Sequence, residues 1–326
     1  MIFYSDISLV RKLINKASHE GRPYLFAVNF EGDEALFIEN PLHQQAIGFC
    51  TPSAGNKKTC PAKNQKGDIA PEPLPPELYK RKWDIVQKAL LRGDTYLANL
   101  TVRTPIHCTT SLESIFLQSS SPYQLYIPER FVCFSPERFV KISSTGRIST
   151  NPMKGTIDAT LPNAGQSLLD DIKETEEHNT IVDLLRNDIS MWADDVHIKR
   201  FRYVEKITTN AGELFQASSE IEGQLPSDYR QHMGDIIFDM LPAGSCTGAP
   251  KKSTVDIIRR AEGENRGYYT GVFGYFDGSS LDSAVLIRFI EKENDSFFFR
   301  SGGGITARSN WKNEYQETLQ KIYLPL

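Results

Sequence analysis

Glu174 and Glu177, and again Glu314 and Glu317, stand three residues apart in segments that read as helices, and residues at that spacing share one helix face. Where two such helices meet, four carboxylates converge, the oxygen-rich setting a hard divalent cation takes. Lys154, set in Pro152-Met153-Lys154-Gly155-Thr156, carries an amine that can serve as nucleophile or base, and desolvation there would let its pKa fall. Arg288 interrupts the apolar run Ala284-Val285-Leu286-Ile287-Arg288-Phe289-Ile290 and needs an anionic partner, either a structural carboxylate or a ligand. Lys321 lies one turn after Glu317, where the plain alternative is an i,i+4 ion pair. Gly302-Gly303-Gly304, in a connection between a strand and the last helix, can offer backbone N–H groups to an anion. The segment 242–251 opens a helix whose N-terminus favours a carboxylate or phosphate, with the Thr247 hydroxyl as a further contact or a simple cap. It lacks the GxxxxGK[ST] pattern of a nucleotide-binding loop. Taken singly, these are solvated helix faces, a surface lysine and ordinary loops; taken together, they point to metal-assisted chemistry on an anionic small molecule.

The elements that position these groups follow from periodicity. The apolar runs 24–28 and 35–38, split by Glu31-Gly32-Asp33, predict a hairpin, and the Pro-, Gly-, Lys- and Asn-rich stretch 51–76 predicts an exposed connection. A helix is expected over 76–92, stopped by Gly93, then strands at 96–102, 124–127, 131–134 and 138–142, with Lys154 in a turn after a strand at 147–150. A single helix is expected over 167–189 with Ser167 as N-cap, a short one over 235–241, and another from Pro250, as first helical residue, to 261. Strands at 268–276, 282–291 and 296–300 precede a final helix over 310–323. Strands broken by helices without regular alternation favour an α+β layered fold over a doubly wound sheet.

The chain has 326 residues, a net charge of -4, 40% hydrophobic and 24% charged residues, an ordinary globular composition. Without a polybasic surface, nucleic acid and anionic membranes are excluded as main partners. No apolar run approaches the roughly 20 residues of a membrane span, and the first residues lack the pattern of a signal peptide, so the cytoplasm is the expected location. Five widely spaced cysteines suggest neither a disulfide framework nor a zinc site.

From about residue 76 to 321 the chain resembles the chorismate-utilising enzymes, which include anthranilate, aminodeoxychorismate, isochorismate and salicylate synthases. The resemblance is carried by Gly93-Asp94-Thr95-Tyr96-Leu97-Ala98-Asn99-Leu100, Phe134-Ser135-Pro136-Glu137-Arg138-Phe139, Asn151-Pro152-Met153-Lys154-Gly155-Thr156, Glu177-His178 through Arg186-Asn187-Asp188, Gly244-Ser245-Cys246-Thr247-Gly248-Ala249-Pro250-Lys251, and Gly302-Gly303-Gly304-Ile305 with Glu314-Tyr315-Gln316-Glu317-Thr318. It implies an α/β/β/α sandwich of two facing, largely antiparallel sheets flanked by helices, with the site in the cleft between them. It also implies one domain overall, with 1–75 a shortened N-terminal region and 76–326 the chorismate-binding catalytic region. Magnesium would be held by Glu177 and Glu317, with Glu174 and Glu314 in support, against the ring carboxylate of chorismate. The pyruvyl carboxylate would meet Arg288, Tyr269 and the backbone of Gly302 and Gly303, with Lys321 near the metal-bound end and Thr247 on the ring side.

Within that family, Pro-x-Lys-Gly-Thr resembles the aminodeoxychorismate enzymes, whereas anthranilate and isochorismate synthases carry alanine in place of the lysine. The resemblance thus implies amination of chorismate to 4-amino-4-deoxychorismate, on the route to p-aminobenzoate and folate, with Lys154 as covalent nucleophile. Leucine at Leu97, where isochorismate and salicylate synthases place a base lysine, cannot activate water. Leu97, Gln216 (a histidine in many relatives) and Arg308 (commonly an aspartate) depart from the pattern. The alternatives are an anthranilate synthase component I or a non-catalytic chorismate-binding paralogue. The short N-terminal region is expected to leave little room for the complete tryptophan-binding subdomain of a feedback-regulated anthranilate synthase. Without a visible glutaminase segment, ammonia is expected from a separate glutamine amidotransferase subunit.

Overall fold

The computed structural model describes residues 3–58, 69–209 and 212–324. Side chains alternating along each strand sort themselves into layers. Tyr24, Phe26 and Val28 pack with Val10 and Ile14 of the helix Ile7–His19, Ile181 and Leu185 of the helix Ile172–Ser190, and Ile236 of the helix Met233–Asp239. Leu25 and Ala27, pointing the other way, pack with Leu125, Phe131, Phe273 and Phe289 between two sheets. On the far side, Ala98, Leu100 and Val102 meet Val86, Ile257 and Tyr315 of the helices Pro76–Arg92, Lys251–Glu262 and Trp311–Gln320. The order is helices, sheet, sheet, helices, as expected from the resemblance.

The described residues form a ten-stranded and an eight-stranded sheet with antiparallel pairings throughout. The hairpin Tyr24–Val28 with Ala35–Glu39 and the helix Pro76–Arg92, ended by Gly93 at φ 80°, match the sequence reading. Residues 59–68 of the connection 51–76 lie outside the described residues, and Ile69–Pro71 pairs with the strand Leu97–Cys108.

Other expectations are corrected. The helix over 167–189 is two helices, Ala164–Asp170 and Ile172–Ser190, with Ser167 inside the first. Asp171 breaks them, because its side chain accepts from the Glu174 N–H at 2.8 Å and caps the second. Pro250 is the N-cap of Lys251–Glu262 rather than its first residue. Gly302, Gly303 and Gly304 belong to the strand Ser296–Ile305, and Lys154 to the strand Met153–Asp158.

The strand expected over 282–291 is also split: Leu281–Val285 belongs to the ten-stranded sheet and Phe289–Glu293 to the eight-stranded one. The chain crosses through Arg288, whose φ of 54° is left-handed. A second crossing joins Phe131–Ser135 to Arg138–Ile142 through Pro136 and Glu137. The two crossings bond to each other: Phe134 N–H donates to the Arg288 carbonyl and Val285 N–H to that of Glu137, each at 3.1 Å.

Candidate active site

Glycine marks where the chemistry gathers. A Cβ on Gly304 would lie 3.1 Å from Glu177 Oε2, 3.2 Å from Leu97 Cδ1 and 3.3 Å from Lys154 Nζ. On Gly303, facing the other way, it would lie 3.4 Å from Glu317 Oε1, 3.6 Å from Lys321 Nζ and 3.7 Å from Glu314 Oε2. Gly155, at φ 74°, brings the Lys154 strand against Glu174, whose Oε2 is 3.0 Å from the position of its missing Cβ. Glu177 and the pair Glu314 and Glu317 therefore reach one short piece of strand at Gly303 and Gly304, while Glu174 reaches the strand that carries Lys154. Glu177 is 4% and Glu314 2% exposed, far below the usual exposure of carboxylates.

Lys154 Nζ stands 3.8 Å from Glu177 Oε2. Burial pulls its pKa down, but the charges of Glu177, Glu137 and Glu174 outweigh that and hold it above the ordinary lysine value. The expected fall is reversed, because the carboxylates that make the site also stabilise the ammonium. Lys321 makes the i,i+4 pair with Glu317 at 2.7 Å and also donates to the Gly302 carbonyl at 2.8 Å.

Arg288 sits at the crossing, where Nε donates to the Tyr323 hydroxyl at 3.2 Å and the guanidinium lies 5.4 Å from that ring. Tyr269 is buried against Phe289, and burial raises its phenol so that it stays neutral. Thr247 does not cap the following helix: its hydroxyl donates to the Ala243 carbonyl at 2.8 Å. Its carbonyl accepts from Asn99 N–H at 2.8 Å, fixing this loop to the Leu97–Cys108 strand.

The sequence reading gave Glu137 no role. Burial raises its pKa, opposed by a hydrogen bond from Ser245 and by the charges of Lys154, Arg288 and Lys321, so it faces the cations of the cleft. A carboxyl so placed is a candidate proton donor. The available signal was its position directly after Pro136, between two strands. His178, next to Glu177, is fully buried, with Nε2 2.6 Å from Ser219 Oγ. Burial, with the charges of Arg202 and Lys154, depresses it to about 4, so it is neutral and anchors the helix. Beneath the cleft Arg266, 1% exposed, pairs with Glu262 at 2.6 Å and donates to the carbonyls of Cys246 (2.8 Å) and Asn99 (2.6 Å).

The carboxylates suit magnesium in kind. Among the described residues, however, no three acidic, histidine or cysteine side chains are grouped closely enough to hold a metal unaided. Magnesium commonly takes one or two carboxylates plus water and ligand oxygens, so Glu177 and Glu317 could hold one only with such further donors.

A sequence profile described as chorismate binding enzyme matches residues 5–326, and the chain belongs to that family of chorismate-utilising enzymes. An uncharacterized PabA-like protein of Haemophilus influenzae is 46% identical over 98% of each chain. Aminodeoxychorismate synthase component 1 of Escherichia coli is 33% identical over 76% of this chain, which spans 56% of that protein's length. The structure of anthranilate synthase component I from Streptococcus pneumoniae superposes with a TM-score of 0.65 at 27% identity, covering 80% of this chain and 61% of the other. Among the described residues no helix is long and apolar enough to cross a membrane.

Proposed function

We propose that this chain is an aminodeoxychorismate synthase component I, converting chorismate and ammonia to 4-amino-4-deoxychorismate and water. The observation that carries the reading is an amine, Lys154 Nζ, held in the inter-sheet cleft beside Glu177 and the bare Gly304 backbone. In the proposed mechanism that nitrogen bonds to C2 of the ring, the two ring double bonds shift, and the C4 hydroxyl leaves as water with a proton from Glu137. Ammonia then bonds to C4, the double bonds shift back, and the C2–N bond breaks with its electron pair returning to Nζ.

Because Lys154 begins protonated, it must lose a proton before attack, and turnover should rise toward alkaline pH. Arg288, Lys321 and the Gly302–Gly303 backbone would hold the substrate carboxylates, with Tyr269 and Thr247 shaping the pocket. Glu177 and Glu317, supported by Glu174 and Glu314, would hold magnesium, which when bound offsets the negative charge of the ring carboxylate. Ammonia would come from a separate glutamine amidotransferase subunit, or from ammonium in vitro.

The test is incubation of the purified chain with chorismate, magnesium and ammonium, with products separated by chromatography against standards. Aminodeoxychorismate is expected. Anthranilate or isochorismate would overturn the role of Lys154, and no product even with an amidotransferase would leave a binding protein.

A further inference from the structure

We propose that Asn99 receives ammonia in the cleft and aims it at the ring, a task that Leu97, with no polar side-chain atom, leaves open; the inference rests on the amination reading above. Asn99 lies directly opposite Gly304 across the paired strands, so its side chain stands on the same inter-sheet face. Opposed positions in an antiparallel pair have Cβ atoms about 5 Å apart. The Cβ position of Gly304 is itself 3.3 Å from Lys154 Nζ and 3.2 Å from Leu97 Cδ1. The Asn99 carboxamide is therefore a neighbour of the reacting amine.

Its backbone is fixed on both sides. The N–H donates to the Thr247 carbonyl at 2.8 Å, and the carbonyl accepts from the buried Arg266 guanidinium at 2.6 Å. The side-chain oxygen Oδ1, in contrast, is buried without a hydrogen-bond partner. A buried acceptor left so is costly until a donor arrives. The donor that suits the place is small and needs no base. A carboxamide oxygen cannot take a proton, so it cannot activate water, but ammonia already has a free lone pair. One N–H of ammonia held by Oδ1 leaves that lone pair for C4. When the C4–N bond forms and the C2–N bond breaks, the proton released by the new ammonium passes to the departing Lys154 nitrogen, and Asn99 exchanges none.

The test is steady-state amination with ammonium chloride as nitrogen source. In Asn99→Ala the KM for ammonium should rise about three- to tenfold, the worth of one hydrogen bond, with the KM for chorismate within about twofold of wild type. Asn99→Asp should split the constants: a carboxylate binds the ammonium ion more tightly but keeps it protonated, so the KM for ammonium falls and kcat falls with it. General damage to the fold does not give that pattern. An unchanged ammonium KM in Asn99→Ala, or ammonium and chorismate constants rising together in both variants, would overturn the assignment to Asn99 while leaving amination in place. A wild-type chain that makes no aminated product overturns the amination reading itself, and this inference with it.

Discussion

The gap between the two sheets is filled in two ways. At one end Leu25, Ala27, Phe49, Leu125 and Phe273 close it with apolar volume, all essentially without exposure. At the other, Gly304 presents bare backbone, and Lys154, Glu177, Glu137 and Arg288 bring charge. The boundary is one residue wide: Phe289 stacks on Phe131 at 4.7 Å, and its neighbour Arg288 already belongs to the polar end. The apolar end draws stability from burial alone, whereas at the polar end each charge is tolerated because an opposite one stands beside it. Residues at the first end should therefore govern stability, and those at the second turnover.

The contrast would break most visibly at Lys154. In Lys154→Ala the para-aminated product should vanish, residual turnover going to the ortho isomer by direct attack of ammonia at C2, as product chromatography would record. Glu137→Gln should follow, with kcat lower by ~10²–10⁴-fold and the chorismate KM little changed, as expected for loss of a proton donor. At the apolar end, Phe273→Ala should cost ~3–5 kcal/mol in urea unfolding. The chorismate KM of the folded variant should stay put, and a loss of turnover without a loss of stability would erase the division.

The smallest effect is a pH dependence. His178 in the folded chain titrates at about 4, below its ordinary 6.5, so the unfolded chain takes up the proton first. Its contribution is complete above pH 6.5 and is lost as the pH falls toward 4, up to about 3 kcal/mol in all. Urea midpoints between pH 7 and 4.5 should show this slope in wild type and a shallower one in His178→Gln.

Much of this was legible in the sequence where local chemistry decides the structure. The helix Pro76–Arg92 begins at a proline and ends at a glycine with positive φ, and both are local signals. The helical setting of the acidic pairs was legible too, Glu174 and Glu177 lying in Ile172–Ser190 and Glu314 and Glu317 in Trp311–Gln320. The break at Asp171 was missed although it is a local cap, whereas three other misses were settled by distant elements. Gly302-Gly303-Gly304 reads as a loop, yet pairs with Thr101, Leu100 and Asn99 in that order, and a Cβ would press on the Leu100 backbone at Gly302 and on Glu177, Leu97 and Lys154 at Gly304. The run 284–290 is uniformly apolar around Arg288 although the chain changes sheets within it, since both sheets bury their strands. Lys154 looked like a lysine that desolvation would unload, because the charges opposing that come from Glu177, Glu137 and Glu174, far along the chain or across a sheet boundary.

The two crossings that bond to each other through Phe134 and Val285 have a mechanical meaning. They form the spine of a book whose pages are the sheets, and Glu137 and Arg288 are sewn into it. Each is tied by its carbonyl to the opposite crossing, so the spine itself holds their separation. Lys154 stands instead on the strand Met153–Asp158 and Glu177 on the helix Ile172–Ser190. If the pages part, the distance between Glu137 and Arg288 should therefore change least.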